Sequence, residues 1–355
     1  MFPSFQNLGL IGGVALCLAG CTSLPPARLA TSQAVPAPTP VVRRSADGAS
    51  ASTTLDVLSF NIEGLGWPAR KNRAPSLRRI GVALAKMNAN GDAPDVVLVQ
   101  EMFSAAAVRA MTRAGYPYQA WGPSRTQRKR LPEEGRMESP FRWRKGETGL
   151  HLVGSGLAVL SRYPIVAALS EPFGKHRCAG FDCLSNKGVQ QVRIAIPGVP
   201  QAVDLFNTHL NSQGASRVPA ERHGPAQALQ VADLASFVTV AGGGPTPKIF
   251  GGDFNMRGAA ERLAGLESAL GGFTLVHRYC SAPNSPCDVR MSWDGDAPWL
   301  DTEDLQLFSD GGAVRILPTR IEAMFDGSEN NPQLSDHDGL RVSYRLSWHP
   351  RPEER

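Results

Sequence analysis

Apolar residues between Leu55 and Leu346 fall into two periodicities. Short continuous or alternating runs, rich in Val, Ile, Leu and Phe and bounded by Gly, Pro or Asn, predict strands. They cover Leu55–Ile62, Val96–Met102, Gly156–Ser161, Gly188–Ile196, Ala202–Leu210, Lys248–Phe254, Asp304–Ser309 and Leu340–Leu346. Helical spacing predicts amphipathic helices over Ser76–Asn90, Ser104–Ala114, Pro225–Val240 and Ala259–Leu270. The stripe Leu77, Ile80, Leu84 and Met87 in the first of these is core, as is the Val231, Leu234 and Val238 stripe of the third. Val189, Val192, Ile194 and Ile196 roughly alternate with polar residues, which predicts an antiparallel strand with one solvated face. Half-buried strands mixed with helices point to two packed sheets with helices outside. The irregular stretches Gly122–Gly154 and Gly271–Leu300 are expected to be active-site loops.

Upstream the pattern changes. Leu8 to Ala19 is an apolar, Gly-rich run too short for a membrane-spanning helix, and it closes on Leu18-Ala19-Gly20-Cys21. It has the length of a secretory apolar region with small residues at the cleavage point. The closing tetrapeptide resembles the bacterial lipoprotein box, which implies a signal peptide over 1–20 and lipidation of Cys21. Thr22 follows the cysteine, not the Asp associated with inner-membrane retention. The expectation is therefore an exported protein anchored in the outer membrane, facing periplasm or surface. Residues 21–53 are rich in Pro, Ala, Ser and Thr without apolar periodicity, as a disordered tether would be. One α/β catalytic domain is expected over 54–348, with a tail at 349–355.

Cysteine count and charge fit export without deciding function. Cys178, Cys183, Cys280 and Cys287 remain in two close pairs, expected to be Cys178–Cys183 and Cys280–Cys287 disulfides. Zinc is the alternative, with His176 and His277 nearby, but the spacings are not those of paired CxxC knuckles. A formal net charge of +5 suits an anionic substrate.

The chemistry is concentrated at strand ends, in five motifs. They are Ser59-Phe60-Asn61-Ile62-Glu63, Val99-Gln100-Glu101, Asn207-Thr208-His209-Leu210, Gly251-Gly252-Asp253-Phe254-Asn255 and Ser335-Asp336-His337-Asp338. Glu101 closes an apolar strand, where a carboxylate is awkward unless it meets a cation or a solvated cleft. Asp253 and Asn255 are two apart and so share one face of extended backbone. Histidine is the natural acid or base near neutral pH, and His209 and His337 both sit among acids and amides. This residue set suits a hard divalent cation beside a phosphate.

The five motifs, in this order, resemble the exonuclease–endonuclease–phosphatase superfamily, and the resemblance spans nearly the whole domain after the tether. It implies a four-layered α/β/β/α sandwich of two mixed, mostly antiparallel sheets with outer helices. It also implies magnesium-dependent hydrolysis of a phosphate ester, with manganese as a substitute ion. Glu101 matches the principal metal ligand, with Asn61 beside it and Asp336 at the metal and its water. Glu63 would hold a metal-bound water. His337 matches the catalytic histidine, oriented by Asp304, although the family's usual Asp-Tyr is Asp304-Leu305 here. Asp253 matches the water-positioning Asp and Asn255 the phosphate-binding Asn, a role Asn61 would share. Water oriented by Asp253 and deprotonated with help from His337 would attack in line, and His209 would stabilise the charge or protonate the alkoxide.

His209 resembles the deoxyribonuclease and sphingomyelinase branches alike, while Asn186-Lys187-Gly188 and Ser292-Trp293-Asp294 look like the sphingomyelinase branch and make Lys187 a candidate phosphate ligand. The substrate remains open between a phospholipid, cleaved as by a phospholipase C, and nucleic acid, cut by a periplasmic or surface nuclease. A loop bearing Arg125, Arg128, Arg142, Arg144 and Lys145 with Phe141 and Trp143 interleaved suits either partner, or is simply solvated. A catalytically inactive binding module is the third reading. The protein is expected to act as a monomer.

Overall fold

Two sheets face each other in the computed structural model, which describes residues 24, 27–31, 38–290, 302–329 and 331–350. Cys21, the signal-peptide segment and Ser292-Trp293-Asp294 lie outside the described residues. The larger sheet runs Arg28–Thr31, Tyr118–Trp121, Ala158–Ser161, Val96–Gln100, Ala51–Asn61, Gly339–Trp348, Arg315–Met324 and Asp288–Arg290, with Arg43–Arg44 paired to the start of Ala51–Asn61. The smaller runs Thr274–Leu275, Asp304–Ser309, Lys248–Asp253, Val203–His209, Gly188–Ile194 and Ile165–Pro172. Most pairings are antiparallel. The Val96–Gln100 strand is parallel to Ala51–Asn61, Lys248–Asp253 to Val203–His209, and Asp288–Arg290 to Arg315–Met324.

Apolar packing makes the layers. Leu58, Phe60, Val97 and Val99 face the helices Arg73–Asn90 and Ala105–Thr112 through Leu77, Ile80, Ala107 and Met111. Phe206, Phe250, Leu305 and Leu307 face the Ala220–Ala241 and Ala260–Ala269 helices through Leu234, Phe237 and Leu266. The remaining strand faces meet each other over Leu55, Val57, Leu98, Val192, Leu205, Ile249, Phe308 and Val342. That order is α/β/β/α, the sandwich expected.

Along this central seam, polarity changes with position on each strand. Period-two alternation puts Leu55, Val57, Ser59 and Asn61 on one face, and likewise Val203, Leu205, Asn207 and His209. The same face of Lys248–Asp253 carries Ile249, Gly251 and Asp253, and that of Asp304–Ser309 carries Phe308, Gln306 and Asp304. Register aligns these rows: Asp253 lies opposite both His209 and Asp304, and Gly251 opposite both Asn207 and Gln306. The seam thus passes from an apolar row through an amide row to an acid-and-imidazole row.

The amide row joins the sheets. Asn207 Nδ2 donates to the carbonyls of Val99 and Ala158, each at 3.0 Å, and Gln100 Nε2 donates to Asn207 Oδ1 at 2.7 Å. Gln306 Nε2 donates to Val57 O and Leu340 O at 3.0 and 2.9 Å, and Tyr344 donates to Gln306 Oε1 at 2.9 Å. Buried amides bonded across the seam fix the relative register of the sheets, which undirected apolar contact does not do. Glycine at 251 allows the close approach, because a Cβ there would stand 2.7 Å from Leu98 Cδ1.

Four differences from the sequence expectations have physical causes. Arg28–Thr31 and Arg43–Arg44, inside the expected tether, add to the sheet beside Tyr118–Trp121 and Ala51–Asn61. The Gly188–Ile194 strand is antiparallel on both sides but has no solvated face: Gln190 and Gln191 are buried, with the Ala220–Ala241 helix packed against the strand and Gln191 bonded to Asp204. Ile165–Pro172 and Arg315–Met324 are strands that apolar pattern did not reveal. Within the expected 271–300 loop, Thr274–Leu275 pairs with the Leu307–Phe308 end of Asp304–Ser309, and Val276 and Cys280 join the central core. Thr274–Leu275 therefore sits at the end of that strand away from Asp304, while Asp288–Arg290 pairs with Arg320–Glu322 at the edge of the larger sheet. Both disulfides form, Cys178–Cys183 and Cys280–Cys287.

Candidate active site

The acid-and-imidazole row closes the seam at one end. His337, just before the Gly339–Trp348 strand, reaches across from the larger sheet, and its Nδ1 lies 2.7 Å from Asp304 Oδ2. Ser335 Oγ donates to Asn61 O at 2.6 Å and accepts from the His337 N–H at 3.3 Å, fixing the turn that aims the ring. His337 Nε2 faces Asn61 Nδ2 at 3.4 Å, Glu303 Oε2 at 3.6 Å and Asp253 Oδ2 at 3.8 Å. Asn61, fully buried, donates from Nδ2 to Asp253 Oδ2 at 2.9 Å and accepts the Glu63 N–H at 3.0 Å.

Asp253 is the hub. Its Oδ1 accepts the Asn255 N–H at 2.9 Å, and its Oδ2 also lies 3.3 Å from His209 Nε2. That nitrogen is 3.0 Å from Lys187 Nζ, which donates to Leu210 O at 2.8 Å and pairs with Asp182 Oδ2 at 3.1 Å. Asn255 Nδ2 donates to Leu210 O at 3.0 Å. Gly252 makes the approach possible: φ is 154° and a Cβ would stand 2.3 Å from Thr208 O.

The backbone bends where the motifs end. Glu63, Glu101 and Asn255 all adopt positive φ, at 47°, 60° and 52°. Each such non-glycine residue costs on the order of 1 kcal/mol, and strain of this kind collects at functional sites.

Burial and neighbouring charge divide the ionisable groups. Burial lowers the His337 imidazole, but Asp304, then Asp253 and Glu303, outweigh it and push it up to about 11. His209 is held well below the ordinary imidazole value by burial, with Lys187 and His337 adding to the effect. Burial raises the Asp253 and Asp304 carboxyls, with His337 opposing in both. Burial pushes the Glu101 carboxyl up to about 7, against Lys187 and a hydrogen bond from Asn61, while Asp253 and Asp336 add to the rise.

That state of Glu101 is the test of whether a metal fits. A desolvated carboxyl among acids is short of positive charge, which a hard cation on oxygen ligands would supply. Among the described residues no three His, Cys, Asp or Glu side chains stand close enough to form a closed metal cage. Magnesium does not need one, since it keeps several waters and takes only one or two carboxylates. The residues present fit it.

Not every expected residue joins this group. Asp336 is exposed at the rim and pairs with Arg70 at 2.9 Å. Glu63 is engaged on both oxygens, by Arg70 Nε at 3.0 Å and Arg73 Nη1 at 3.2 Å, while Arg73 also donates to Ile62 O and Leu334 O. Glu63 thus holds the turn that carries Asn61. Sequence reasoning missed Asp182, which holds Lys187, and Glu303, beside His337. Adjacency to Asp304 was a signal for Glu303. Asp182 gave none, because the Gly180–Leu184 turn brings it to Lys187.

Fold and site together define a phosphate-ester hydrolase scaffold with its site at the strand ends of a two-sheet seam. The chain belongs to the endonuclease/exonuclease/phosphatase family, which it matches over residues 58–337. A Drosophila melanogaster protein that bears the name neutral sphingomyelinase is 32% identical over 108 residues, which are 29% of this chain and 24% of that relative. The match thus spans about a quarter of the relative's length. The fold is shared with a beta-toxin variant of Staphylococcus aureus solved with magnesium ions bound (TM-score 0.57, 18% identity, 82% of this chain and 99% of that one). It is also shared with sphingomyelinase C from Streptomyces griseocarneus (TM-score 0.53, 21% identity, 82% and 99%).

Proposed function

We propose that the protein is a magnesium-dependent phosphodiesterase that cleaves a phospholipid as a phospholipase C does, releasing the phosphorylated headgroup. One observation carries the reading: Asp253 stands at the centre of the seam, with the carboxyls of Asp304 and Glu303 and the imidazole of His337 on one side and His209 and Lys187 on the other. The name of the Drosophila relative supports the lipid over nucleic acid. Glu101 would hold the ion, with Asn61 beside it and Asp336 at the rim, and the ion would polarise the phosphoryl oxygen.

The chain's own groups divide the remaining work. Asp253 orients the attacking water and takes its proton, a role that burial suits by raising its carboxyl. His337 is held charged by Asp304, so it serves as a donor to the phosphoryl oxygens and, as the ester P–O bond breaks, gives its Nε2 proton to the leaving alkoxide; it is not the base. Lys187, the neutral His209 and Asn255 bind the phosphate from the far side of Asp253 and stabilise charge that grows on it. Export, lipidation at Cys21 and action as a monomer on a membrane belong to the same proposal. The test sets release of phosphocholine from sphingomyelin beside nicking of supercoiled DNA, each with magnesium. Phosphocholine release alone supports the reading. DNA nicking alone replaces it with a nuclease, and silence in both leaves a binding module.

A further inference from the structure

Apolar side chains gathered on a surface and held there by a rigid frame mark a contact face. Residues 141–152 and the Gly180–Leu184 turn have this character. Trp143, Leu150 and Leu152 are 67%, 69% and 64% exposed, and Phe141 and Phe181 are exposed beside them.

The frame beneath them is built from buried polar bonds. Glu147, at the centre of the loop, is buried, pairs with Arg222, and accepts the N–H groups of Arg142 and Gly180 at 2.7 and 2.8 Å. Leu152 N donates to Leu184 O at 2.7 Å, and the Cys178–Cys183 disulfide lies across the adjoining turn. The loop is therefore held in place, and what it turns outward is apolar.

Cations surround these side chains. Arg144 lies over the Trp143 ring at 5.0 Å, and Lys145 and Arg217 lie over Phe181 at 5.7 and 5.9 Å. The acid within 141–152 is Glu147, which turns inward to Arg222, so the outward charge of the loop is positive.

We propose that this platform docks the protein on a lipid bilayer carrying anionic headgroups. Tryptophan and cationic side chains suit the headgroup level, and the leucines suit the acyl boundary below it. Bases would stack on the aromatic rings but give the two exposed leucines no role. The platform adjoins the site: Phe181 precedes Asp182, which pairs with Lys187, which touches His209. Docking places that side of the site at the phosphates of the membrane. The purpose of docking rests on the phospholipid reading above, while its test reads binding without turnover.

The chain from Thr22 onward contains every described element and lacks Cys21. Its co-sedimentation is measured with vesicles of phosphatidylcholine, with and without phosphatidylglycerol. Leu150→Ser/Leu152→Ser and Trp143→Ala are expected to weaken binding about tenfold or more. Arg144→Gln/Lys145→Gln is expected to abolish the preference for phosphatidylglycerol. None should change melting temperature or hydrolysis of soluble bis(p-nitrophenyl) phosphate. Brominated acyl chains should quench the fluorescence that Trp143→Ala removes. Vesicle binding equal to the parent's in all three variants overturns the proposal. So does a loss of oligonucleotide binding with vesicle binding unchanged, which makes the face a nucleic-acid surface. Variant-sensitive vesicle binding by a chain that hydrolyses no phosphodiester upholds the platform and removes the catalytic reading.

Discussion

Asp304 and His337 stand 2.7 Å apart across the seam, one on the smaller sheet and one at the edge of the larger. The bond fixes the ring's orientation and, with Asp253 and Glu303, keeps it charged. Asp304→Asn should lower phosphodiester turnover by about 10²–10⁴-fold, the range seen when a buried orienting carboxylate is neutralised. The His337 imidazole should then titrate at lower pH than in the parent, visible by NMR. Unchanged turnover together with an unchanged titration would show that Asp304 does not govern His337.

Glu101 predicts a stability signature independent of activity. Its carboxyl is raised, so the folded state holds its proton more tightly than the unfolded state does. Stability is then lost as pH rises from the unfolded value near 4.5 through the folded value of about 7. In EDTA, Glu101→Gln should be more stable than the parent at pH 8, by about 1–3 kcal/mol, and nearly equal at pH 4. Urea unfolding at the two pH values reads the difference. Magnesium should raise the parent's midpoint and leave the variant's in place.

The amide row should be costly to break. Gln306→Ala removes two donor bonds and strands the Tyr344 hydroxyl in the core. The expected loss is about 2–4 kcal/mol in equilibrium unfolding. Turnover per folded molecule should fall as well, because the sheets that carry His337 and Asp304 lose a register pin. A variant as stable as the parent would mean that apolar packing alone aligns the sheets.

The two disulfides predict opposite phenotypes. Cys178–Cys183 encloses Asp182, the partner of Lys187, whereas Cys280–Cys287 packs near the far end of Asp304–Ser309. Cys178→Ser/Cys183→Ser should reduce kcat, and Cys280→Ser/Cys287→Ser should lower Tm with kcat intact. Equal effects on kcat would separate Asp182 from the site.

Much of the site was legible because it terminates apolar runs: Asn61, Glu101, His209 and Asp253 each follow residues buried in a sheet. What a sequence cannot carry is which groups meet across the seam. Glu63 reads like Glu101, yet Arg70 and Arg73 occupy it. Gln190 and Gln191 read as solvated until a helix and Asp204 cover them. Arg315–Met324 escaped notice because Pro318, Arg320 and Glu322 interrupt its apolar pattern, and the pairing with Gly339–Trp348 supplies what local preference lacks.

In the proposed reaction one seam holds a cation at Glu101 and works on phosphorus through Asp253, His337 and His209. Its most direct test is hydrolysis of bis(p-nitrophenyl) phosphate by the parent, Glu101→Gln, His337→Ala and His209→Ala, with magnesium and with EDTA. The expected result is turnover by the parent that EDTA abolishes, with losses of about 10²-fold or more in each variant. Parent turnover that survives EDTA, or variants that match the parent, would contradict it.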